Sequence, residues 1–507
     1  MATLGKLLFR GLNIKEHAPI EPLSAGDYQQ KELARLLKKA KNTAFGQHFN
    51  FRKILASKNP LEAFQQAVPI YDYEKMYFEW WHRALKEEPD ISWPGYVQYF
   101  SPGSGAAGQK NPVTAEMIKR IRQNTLRQFF SLATFSDPDE LFKRDLLVLG
   151  GSQHLNKNGK FFEGKLTGLN PGRIPLWFQH HFKTSQKGKK EMDWNAKIRE
   201  IVRLAPRWDI GLIAGPSPWI QILLEKIIEA YSLNNIHEIW PNLDYYLHGD
   251  VEPGPFMDNF DKLTAWPLTF LKTYINTEGF FGFQRQPDQQ TLNLILNNGI
   301  FFEFIPYNSE NFTGSGDLKS NPRVLSIKDT KAGEQYAMVI STVSGLWRYF
   351  IGDVIEFTDP VKGEIQLKGR TVPHLNLFGE ELSLNEIKRA IEEVEKAFDL
   401  TVKAFTVGGI ADLKTFGHQW FLGIEEEVDT AALRRKIDQT LKKLNDHYRT
   451  ERAGTLTRMK VVTLPPALFR EWQEKEGTIK DKDSFPPIIE GDQLIAWQTF
   501  LEEKEVV

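Results

Sequence analysis

A glycine-rich loop, GSGAAG at residues 103–108, has the composition of a phosphate-binding loop. Glycine lets backbone amides approach an anion closely, and the N-terminus of a following helix adds a partial positive charge. The run Tyr96–Phe100 before the loop predicts a strand, and a helix is predicted to begin near Thr114. The loop is therefore a candidate for binding the phosphates of a nucleotide, with a simple turn between strand and helix as the alternative.

Three further short motifs carry side chains suited to a nucleotide. Thr277 and Glu278 precede a glycine, and a hydroxyl beside a carboxylate suits a phosphate and its Mg²⁺. A solvated glutamate beside an aromatic core is the alternative. Asp353 follows a glycine and could accept hydrogen bonds from both ribose hydroxyls, or be an ordinary turn residue. Arg370, near a predicted domain boundary, could reach an adenylate phosphate, pair with Asp353 or remain a surface charge.

Composition restricts the class of protein. The chain has 507 residues, enough for two or three domains with a large core. Its formal net charge of −1 gives no electrostatic reason to expect nucleic acid or an anionic membrane as a partner. The absence of cysteine excludes disulfides and thiolate catalysis. With no targeting segment at the N-terminus and no apolar run of about 20 residues, we expect a cytoplasmic protein with no membrane partner.

Apolar spacing and turn residues predict the elements of a large N-terminal part. Residues 28–68 are predicted to be helical, and Trp219–Ala230 is predicted to be a buried helix after a proline. The apolar runs Leu146–Leu149 and Ile210–Ala214 predict buried strands. Residues 291–370 contain short apolar runs between turn residues, which is typical of a barrel or a curved sheet.

A smaller module is predicted at the C-terminal end. Ser383 and Glu386 form a capping box that would begin an amphipathic helix. The order helix, strand, strand, helix, strand indicates an α+β domain, so we place a boundary near residue 371, between domains 1–370 and 371–507. The elements predicted after the first helix are Val402–Val407, Gln419–Ile424, Thr430–Tyr448 and Met459–Leu464.

The four motifs occur in the order of the ATP-handling motifs of adenylate-forming enzymes. More closely, the chain resembles the auxin-responsive promoter (Gretchen Hagen) family of acyl-acid amido synthetases, in its bacterial branch. The segments that carry this resemblance run nearly from end to end and include LLKKAKNTAFGQHF (36–49), VPIYDYE (68–74), WPGYVQYF (93–100), PSPWIQILLEKIIE (216–229), IWPNLDYYLHGD (239–250), YINTEGFFGFQ (274–284), GIFFEFIP (299–306), GLWRYFIGDVIEFT (345–358) and GRTVPHLNLFGEEL (369–382).

The resemblance implies a mixed α/β fold and a two-step reaction. The fold would be a large N-terminal adenylate-forming domain with a β-barrel or sheets and helices, followed by a small, mobile α+β C-terminal domain. ATP and a carboxylic acid would give an acyl-adenylate and pyrophosphate, and the amine of an amino acid would then form an amide. The implied cofactors are ATP and Mg²⁺, the implied partners are a small carboxylic acid and an amino acid, and we expect a monomer.

The resemblance also implies a set of site residues. Glu278, which would bind Mg²⁺, would act in catalysis together with Lys110 and Arg370. Tyr274 would lie against the adenine, and Asp353 would hold the ribose. The residues implied for binding ATP or AMP are Ser104, Gly105, Ala106, Ala107, Gly108, Tyr274, Thr277, Glu278, Asp353 and Arg370.

An acyl pocket is implied by analogy only. Trp219 and His248 lie in segments that would line it, with core packing as the alternative. The identity of the acid and of the amine depends on packing, so the sequence does not predict either.

The glycine-rich loop departs from the family pattern, which usually reads Ser-Ser-Gly-Thr-Thr-Gly. The loop is shorter, Gly103 replaces a hydroxyl residue, and Ala106 and Ala107 replace both threonines. A Lys–aromatic–Ile run before the next proline is reduced to Asn111, with Lys110 beside it. A hydrogen bond to a charged group contributes about 1.5–3 kcal/mol. Losing two or three hydroxyl donors would therefore weaken phosphate binding by orders of magnitude unless other groups compensate.

The C-terminal domain departs from the family pattern as well. The family usually carries a lysine there, a candidate for stabilising the adenylation transition state, followed by an arginine. Spacing places Ser484 and Pro487 at these two positions. Lys480 and Lys482 could substitute only if the loop is re-registered.

These departures leave three hypotheses open. The first is an active ATP-dependent ligase whose loop binds phosphate through backbone amides and Lys110. The second is a slow or catalytically inactive homologue that binds an acyl acid or a nucleotide. The third is a thioester-forming synthetase, which the lack of cysteine disfavours but which a free thiol acceptor permits.

Overall fold

The computed structural model describes residues 24–102, 109–132, 143–150, 155–164, 181–183, 194–249, 254–287, 289, 291–372, 374–376, 380, 382–411, 416–454, 456–475 and 485–506. The glycine-rich loop and the segment 476–484 lie outside these ranges, so the expectations for Ser104–Gly108 and Ser484 stay predictions. No helix within the described ranges combines the length and the apolar character needed to cross a bilayer.

Capping residues divide the N-terminal helical region into short helices. Ser24, Thr43, Asn50 and Asn59 each precede a helix, and each side-chain oxygen accepts a backbone N–H from its first turn. Helical structure over 28–68 is thus confirmed, but as separate pieces. They are α1 Ala25–Ala40, α2 Ala44–His48, α3 Phe51–Ala56 and α4 Pro60–Ala67.

Longer helices follow in the remainder of the N-terminal part. Thr114 caps the helix predicted to begin near it, because its Oγ1 accepts the N–H of Met117 at 3.2 Å. The buried helix predicted at Trp219–Ala230 is confirmed and begins two residues earlier. The helices are α5 Tyr73–Met76, α6 His82–Leu85 after a π-helical turn at Tyr77–Trp81, α7 Ala115–Ser131, α8 Trp194–Leu204, α9 Ser217–Tyr231 and α10 Gly254–Leu263.

The strands of the described ranges are β1 Tyr99–Pro102, β2 Lys110–Val113, β3 Asp145–Val148, β4 Asn156–Asn158, β5 Phe161–Glu163, β6 Phe182–Lys183, β7 Ile210–Ala214, β8 Tyr245–His248, β9 Thr269–Asn276, β10 Gly279–Phe283, β11 Leu292–Leu294, β12 Ile300–Pro306, β13 Gln335–Thr342, β14 Tyr349–Asp359, β15 Glu364–Arg370, β16 His374–Leu375, β17 Leu382–Ser383, β18 Ala404–Ala411, β19 Phe416–Gly423 and β20 Leu456–Leu464. A sheet of order β2-β1-β5-β4 contains both ends of the glycine-rich loop. β1 and β2 are antiparallel, with Ser101 opposite Asn111, so the loop joins a hairpin.

The largest sheet carries the other three motifs of the candidate nucleotide site. Its order is β12-β13-β14-β15-β11-β10-β9-β8-β7-β3-β6. It is antiparallel from β12 to β9 and parallel from β9 to β6. The outermost strands, β12 and β6, do not pair with each other in the part of the chain described, so the region predicted as a barrel or curved sheet belongs to an open mixed sheet. The strands predicted at Leu146–Leu149 and Ile210–Ala214 are confirmed as β3 and β7.

The C-terminal part follows the predicted order of elements. The capping box is present, since the side chains of Ser383 and Glu386 each accept the other's backbone N–H. The single helix predicted over Thr430–Tyr448 is wrong: Asn445 is extended, and its Oδ1 accepts the N–H of Tyr448 at 2.8 Å to cap a second helix. Strands β18, β19 and β20 form one sheet. The helices are α11 Leu384–Phe398, α12 Thr430–Leu444, α13 Asp446–Gly454, α14 Pro466–Lys475 and α15 Gly491–Glu503.

Candidate active site

Glu278 occupies a two-residue turn between β9 and β10. Oδ1 of Asn276 accepts hydrogen bonds from the backbone N–H groups of Glu278 (3.0 Å) and Gly279 (3.3 Å), which fixes the turn. Only 5% of Glu278 is exposed. The alternative of a solvated glutamate is therefore wrong, because the turn places the carboxylate inside the protein.

Asn111 holds the carboxylate of Glu278. Its Nδ2 donates to Oε1 of Glu278 at 2.6 Å and lies 3.3 Å from Oγ1 of Thr277. Burial raises the pKa of Glu278, while a hydrogen bond with Thr277 acts in the opposite direction. The charges of Asp353 and Arg370 also reach this carboxyl group, the first raising its pKa and the second lowering it. Sequence reasoning assigned Asn111 no role, although its position next to the loop was a usable signal.

Asp353 lies in an irregular stretch of β14. The pairing of β14 with β13 shifts between Phe350 and Val354, where β14 contains extra residues. Gly352 adopts a φ of +77° there, a backbone conformation that glycine tolerates best. The Gly–Asp motif therefore marks a bulge, and this bulge brings Asp353 to Tyr274 on β9.

Asp353 is joined to Tyr274 and Arg370. The hydroxyl of Tyr274 donates to Oδ2 of Asp353 at 2.6 Å, and Nε of Arg370 lies 3.4 Å from Oδ1. Nη2 of Arg370 also donates to the carbonyl of Ile351 at 2.8 Å. Burial and the charge of Asp353 raise the pKa of Tyr274 far above its usual value, so its hydroxyl remains a donor. Of the three possibilities for Arg370, the structure shows the pairing with Asp353.

Arg348 and Tyr349, at the start of β14, were not predicted as functional residues. Nε of Arg348 pairs with the fully buried Glu303 at 3.1 Å, and its Nη1 donates to the carbonyl of Val68 at 2.6 Å. Tyr349 is buried, and its pKa is raised far above the usual value by burial and by the charge of Glu278. Arg348 thus attaches the N-terminal helices to β14, and Tyr349 lies within the electrostatic field of Glu278. Arginine is usually exposed, so no sequence pattern predicted a buried pair at this position.

Lys110 does not contact Glu278. Its Nζ donates to Oε1 of Glu163 on β5 at 2.6 Å, and its backbone N–H donates to the hydroxyl of Tyr73 at 2.7 Å. The Lys110–Glu163 pair is partly exposed, with side-chain exposures of 37% and 24%. Such pairs contribute little, about 0–1 kcal/mol, so Lys110 can leave this partner at small cost. A phosphate-binding role for Lys110 stays a prediction.

Trp219 and His248 are both buried away from solvent. Trp219 lies in the first turn of α9 within a core cluster that contains Ile220 and Tyr246. His248 ends β8, with its ring centroid 5.9 Å from that of Phe270. Burial and the charge of Lys272 lower the pKa of His248 to about 3, so its imidazole is neutral at physiological pH. An acyl-pocket role for either residue stays a prediction.

A cavity of about 1010 Å³ lies beside the beginning of β14. Three parts of the chain line it: the segment before α5, the loop that follows β12, and a third group made of Arg348, Phe350 and Val372. Neither Glu278 nor Asp353 lines it. The residues that give it mixed polar and apolar character include Gln65, Asp72, Lys75, Asp317, Lys319, Arg348, Phe350 and Val372. No sequence motif predicted this space.

The donor set around Glu278 fits a hard cation. Within the described ranges no three His, Cys, Asp or Glu residues are grouped as a ready-made metal cage. Glu278 instead has the hydroxyl of Thr277 and the amide of Asn111 beside it. Mg²⁺ prefers oxygen ligands and is commonly held by one or two carboxylates together with substrate phosphates and water. These residues therefore match a magnesium ion that arrives with a nucleotide.

Three family models match the chain in order along its length. They are the GH3 family N-terminal domain at residues 23–185, the GH3 family central domain at residues 293–368 and the GH3 family C-terminal domain at residues 385–482. Together they cover more than half of the chain.

Curated relatives match over shorter segments. Indole-3-acetic acid-amido synthetase GH3.4 of Arabidopsis thaliana is 27% identical over 213 residues, which are 39% of this chain and 34% of that protein. Probable indole-3-acetic acid-amido synthetase GH3.11 of Oryza sativa subsp. japonica is 29% identical over 158 residues, 29% of this chain and 26% of that protein. The matched segment thus spans about a quarter to a third of the length of these relatives.

Solved structures match over nearly the whole chain. The GH3.15 acyl acid amido synthetase, solved with 2,4-DB, has a TM-score of 0.56 at 14% identity and covers 98% of this chain and 96% of its own. A 2-hydroxyisobutyryl-CoA ligase solved with 2-HIB-AMP and CoA has a TM-score of 0.54 at 14% identity, covering 94% and 92%. At this identity the likeness establishes a shared fold.

Proposed function

We propose that this chain, which belongs to the GH3 family, catalyses the ATP-dependent joining of a carboxylic acid to an amino acid. A carboxylate oxygen of the acid attacks the α-phosphorus of ATP, and pyrophosphate leaves. The amine of the amino acid then attacks the acyl carbonyl, loses a proton and displaces AMP. The observation that supports this most is the meeting of Glu278, Tyr274, Asp353 and Arg370, from motifs far apart in the sequence, in one electrostatically coupled cluster.

Asp353 is suited to hold the ribose. Tyr274 donates to one of its oxygens and Arg370 lies close to the other, so the carboxylate is fixed in position. Each carboxylate oxygen has two lone pairs, which leaves Asp353 able to accept two further hydrogen bonds. Two adjacent ribose hydroxyls offer donors in the matching arrangement.

Glu278 is suited to hold Mg²⁺, with Thr277 and Asn111 beside it. The cation supplies neutralisation of charge that develops on the phosphates. Asn111 orients the carboxylate through its 2.6 Å hydrogen bond, and Asn276 fixes the turn that carries it. Arg370 lies beside Asp353, next to the predicted boundary at residue 371, and its positive charge would attract the phosphate of an adenylate bound there.

The remaining parts of the proposal rest on the sequence. Residues Ser104–Gly108 would contact the phosphates, chiefly through backbone amides because Ala106 and Ala107 lack hydroxyls. The small domain beginning near residue 371 would close to exclude water, which would otherwise hydrolyse the acyl-adenylate. We further propose a bacterial branch of the family, a cytoplasmic location and a monomer.

The experiment is a pyrophosphate-release assay on the full-length protein. ATP and Mg²⁺ are combined with panels of carboxylic acids and amino acids, and products are identified by mass spectrometry, with coenzyme A replacing the amine in a parallel arm. We expect acid-dependent pyrophosphate release and an amide product. Asp353→Asn should lose at least about tenfold of this rate, since a hydrogen bond to a charged group contributes about 1.5–3 kcal/mol.

Glu356→Gln is the matched control. Glu356 lies on the same strand as Asp353 but pairs with Lys368 at 3.3 Å, so this variant should keep its rate. Folded wild-type protein that releases no pyrophosphate with any acid would overturn the ligase proposal. If only the coenzyme A arm gives a product, a thioester, the acceptor in the proposed reaction is a thiol and not an amine.

A further inference from the structure

Two buried polar side chains lie side by side at the base of the glycine-rich loop. Ser101 and Asn111 are 0% and 1% exposed. They are directly opposite each other in the β1–β2 pair, so their side chains lie on the same face of the hairpin. That face is the one turned to Glu278, because Asn111 bonds to it.

Each of these side chains has an oxygen with nothing to bond to. Oγ of Ser101 and Oδ1 of Asn111 are buried and make no hydrogen bond within the ranges that the structure describes. Buried polar atoms in native proteins nearly always have a partner, and a buried atom without one costs stability. Two such oxygens next to each other therefore point to a bound group that both of them contact.

The orientation of the Asn111 amide follows from Glu278. Asn111 presents its NH₂ group to Glu278, since its Nδ2 donates to Oε1 at 2.6 Å, and its oxygen therefore faces elsewhere. Three oxygen groups are then able to bind a further partner: the side-chain carbonyl of Asn111, the hydroxyl of Ser101 and the carboxylate of Glu278, which has lone pairs that Asn111 does not use. All of these are hard oxygen donors, and the only formal charge among them is negative. This combination selects a divalent cation such as Mg²⁺ rather than an anion.

We propose that Ser101 and Asn111 are oxygen ligands of the nucleotide-associated Mg²⁺, which they share with Glu278. The proposal rests on the proposed function for the presence of a nucleotide. It assigns the cation site to two elements that meet at the Asn111–Glu278 hydrogen bond: the β9–β10 turn supplies the carboxylate, and the β1–β2 hairpin supplies two neutral oxygens. It also means that the hairpin contributes polar ligands at its base, although the loop beyond it has lost hydroxyls at Ala106 and Ala107.

The first test measures how cation concentration controls nucleotide binding. A non-hydrolysable ATP analogue is titrated by calorimetry into the full-length protein at a series of Mg²⁺ concentrations, and Mn²⁺ binding is followed by electron paramagnetic resonance. Asn111→Ala and Ser101→Ala should each raise the Mg²⁺ concentration needed for half-maximal binding by about tenfold, the size expected when a metal site loses a supporting residue.

Two matched controls remove similar groups elsewhere. Asn124 is 2% exposed, and its Nδ2 makes no hydrogen bond in the described ranges. Thr406 is fully buried, and its Oγ1 likewise makes no hydrogen bond there. Asn124→Ala and Thr406→Val should leave the Mg²⁺ requirement unchanged. Equal Mg²⁺ requirements in the wild type, Asn111→Ala and Ser101→Ala would overturn the proposal.

A thiol replacement gives a gain that a structural role does not produce. The chain has no cysteine, so Asn111→Cys introduces its only thiol. Thiolates favour soft cations, so Cd²⁺ should support analogue binding by Asn111→Cys at least about tenfold better than Mg²⁺ does, and Asn111→Ala should show no such preference. Absence of a Cd²⁺ preference in folded Asn111→Cys would also overturn the proposal.

Folding and function are separated by two further measurements. Thermal unfolding identifies any variant that fails to fold. If Asn111→Ala does not fold, the Mg²⁺ requirement is measured on Ser101→Ala and Asn111→Asp instead. Asn111→Asp keeps an oxygen and adds charge, so it should bind Mn²⁺ more tightly. Mg²⁺-dependent analogue binding that depends on Asn111 and Ser101, without pyrophosphate release, would uphold this proposal and overturn the ligase function. Wild-type protein that binds no analogue with Mg²⁺ would overturn both.

Discussion

Glu278 and His248 are buried titratable residues at the ends of neighbouring strands in the same sheet. Glu278 follows β9, and His248 ends β8. Burial favours the neutral form of each, raising the pKa of Glu278 and lowering that of His248 to about 3. Their surroundings differ, because Glu278 has the amide of Asn111 and the charge of Asp353 nearby, whereas His248 has aromatic rings, including that of Phe270, and the charge of Lys272.

The difference in surroundings distinguishes the candidate cation site at Glu278 from the buried position of His248. At Glu278 the neighbouring groups are oriented polar atoms, and some of their oxygens have room for another partner. At His248 the neutral imidazole is compatible with the packed rings around it. A perturbed pKa alone would have ranked the two residues alike, so the chemistry of the neighbours is what distinguishes them.

The strongest test of this comparison replaces both residues by neutral isosteres. Glu278→Gln should reduce pyrophosphate release by about 100-fold or more, because removing one preorganised charge-stabilising group costs about that much. His248→Gln should change the rate by less than about threefold, since imidazole is already neutral and lies in the core. The measurement is the rate of pyrophosphate release by each folded variant, compared with that of the wild type. A large loss in His248→Gln with a small one in Glu278→Gln would reverse the assignment.

The pH dependence of stability should have opposite signs at the two residues. The folded pKa of His248 is about 3 and its ordinary value is 6.5, so the unfolded chain binds the extra proton between these values. Stability from His248 is therefore present above pH 6.5 and lost as pH falls toward 3. For Glu278, whose folded pKa is raised above 4.5, stability instead falls as pH rises from 4.5 through the raised value.

Denaturant unfolding between pH 4 and pH 7 measures these two slopes. Wild type should lose more stability on acidification than His248→Gln, by on the order of 2–4 kcal/mol if the full shift is expressed. Glu278→Gln should be more stable than wild type at pH 7 and similar at pH 4. Parallel pH profiles for wild type and both variants would contradict the burial argument.

The sequence predicted those parts of the fold that depend on local signals. The capping box at Ser383 and Glu386, the buried helix α9 and the strands β3 and β7 follow from hydrophobic spacing and capping chemistry within a few residues. The break at Asn445 was missed because an asparagine within a helical pattern is read as a weak helix former, while here its side chain caps the next helix.

The site was predicted in part for a different reason. Motif order and the family resemblance named Glu278, Asp353, Tyr274 and Arg370 as candidates, and their functional roles stay predictions. No sequence pattern states which residues touch across strands. The Asn111–Glu278 hydrogen bond joins residues 167 positions apart, and it depends on how two sheets face each other. Local spacing therefore found the motifs, whereas the contacts between them required the tertiary structure.

A smaller effect should follow from loosening Asp353. Tyr274→Phe removes the 2.6 Å hydrogen bond to Oδ2 but leaves the ring in place. We expect affinity for an ATP analogue to fall by about tenfold, at the low end of what a hydrogen bond to a charged group contributes. Calorimetric titration of the folded variant measures this. Tyr336→Phe is a control, because the hydroxyl of Tyr336 donates to Glu334, the residue before β13, and not to Asp353.

The smallest effect is expected at Lys110, where a partly exposed ion pair contrasts with the buried cluster. Lys110→Met should lower the free energy of unfolding by less than about 1 kcal/mol, since exposed pairs contribute about that much at most.

Glu163→Gln frees the ammonium group of Lys110 and should tighten ATP-analogue binding by about two- to threefold if Lys110 reaches the phosphates. Lys160→Met, next to β5 and 64% exposed in its side chain, should change neither quantity. If Glu163→Gln leaves analogue binding unchanged while Glu278→Gln weakens it, phosphate recognition depends on the buried cluster and the loop backbone, without Lys110.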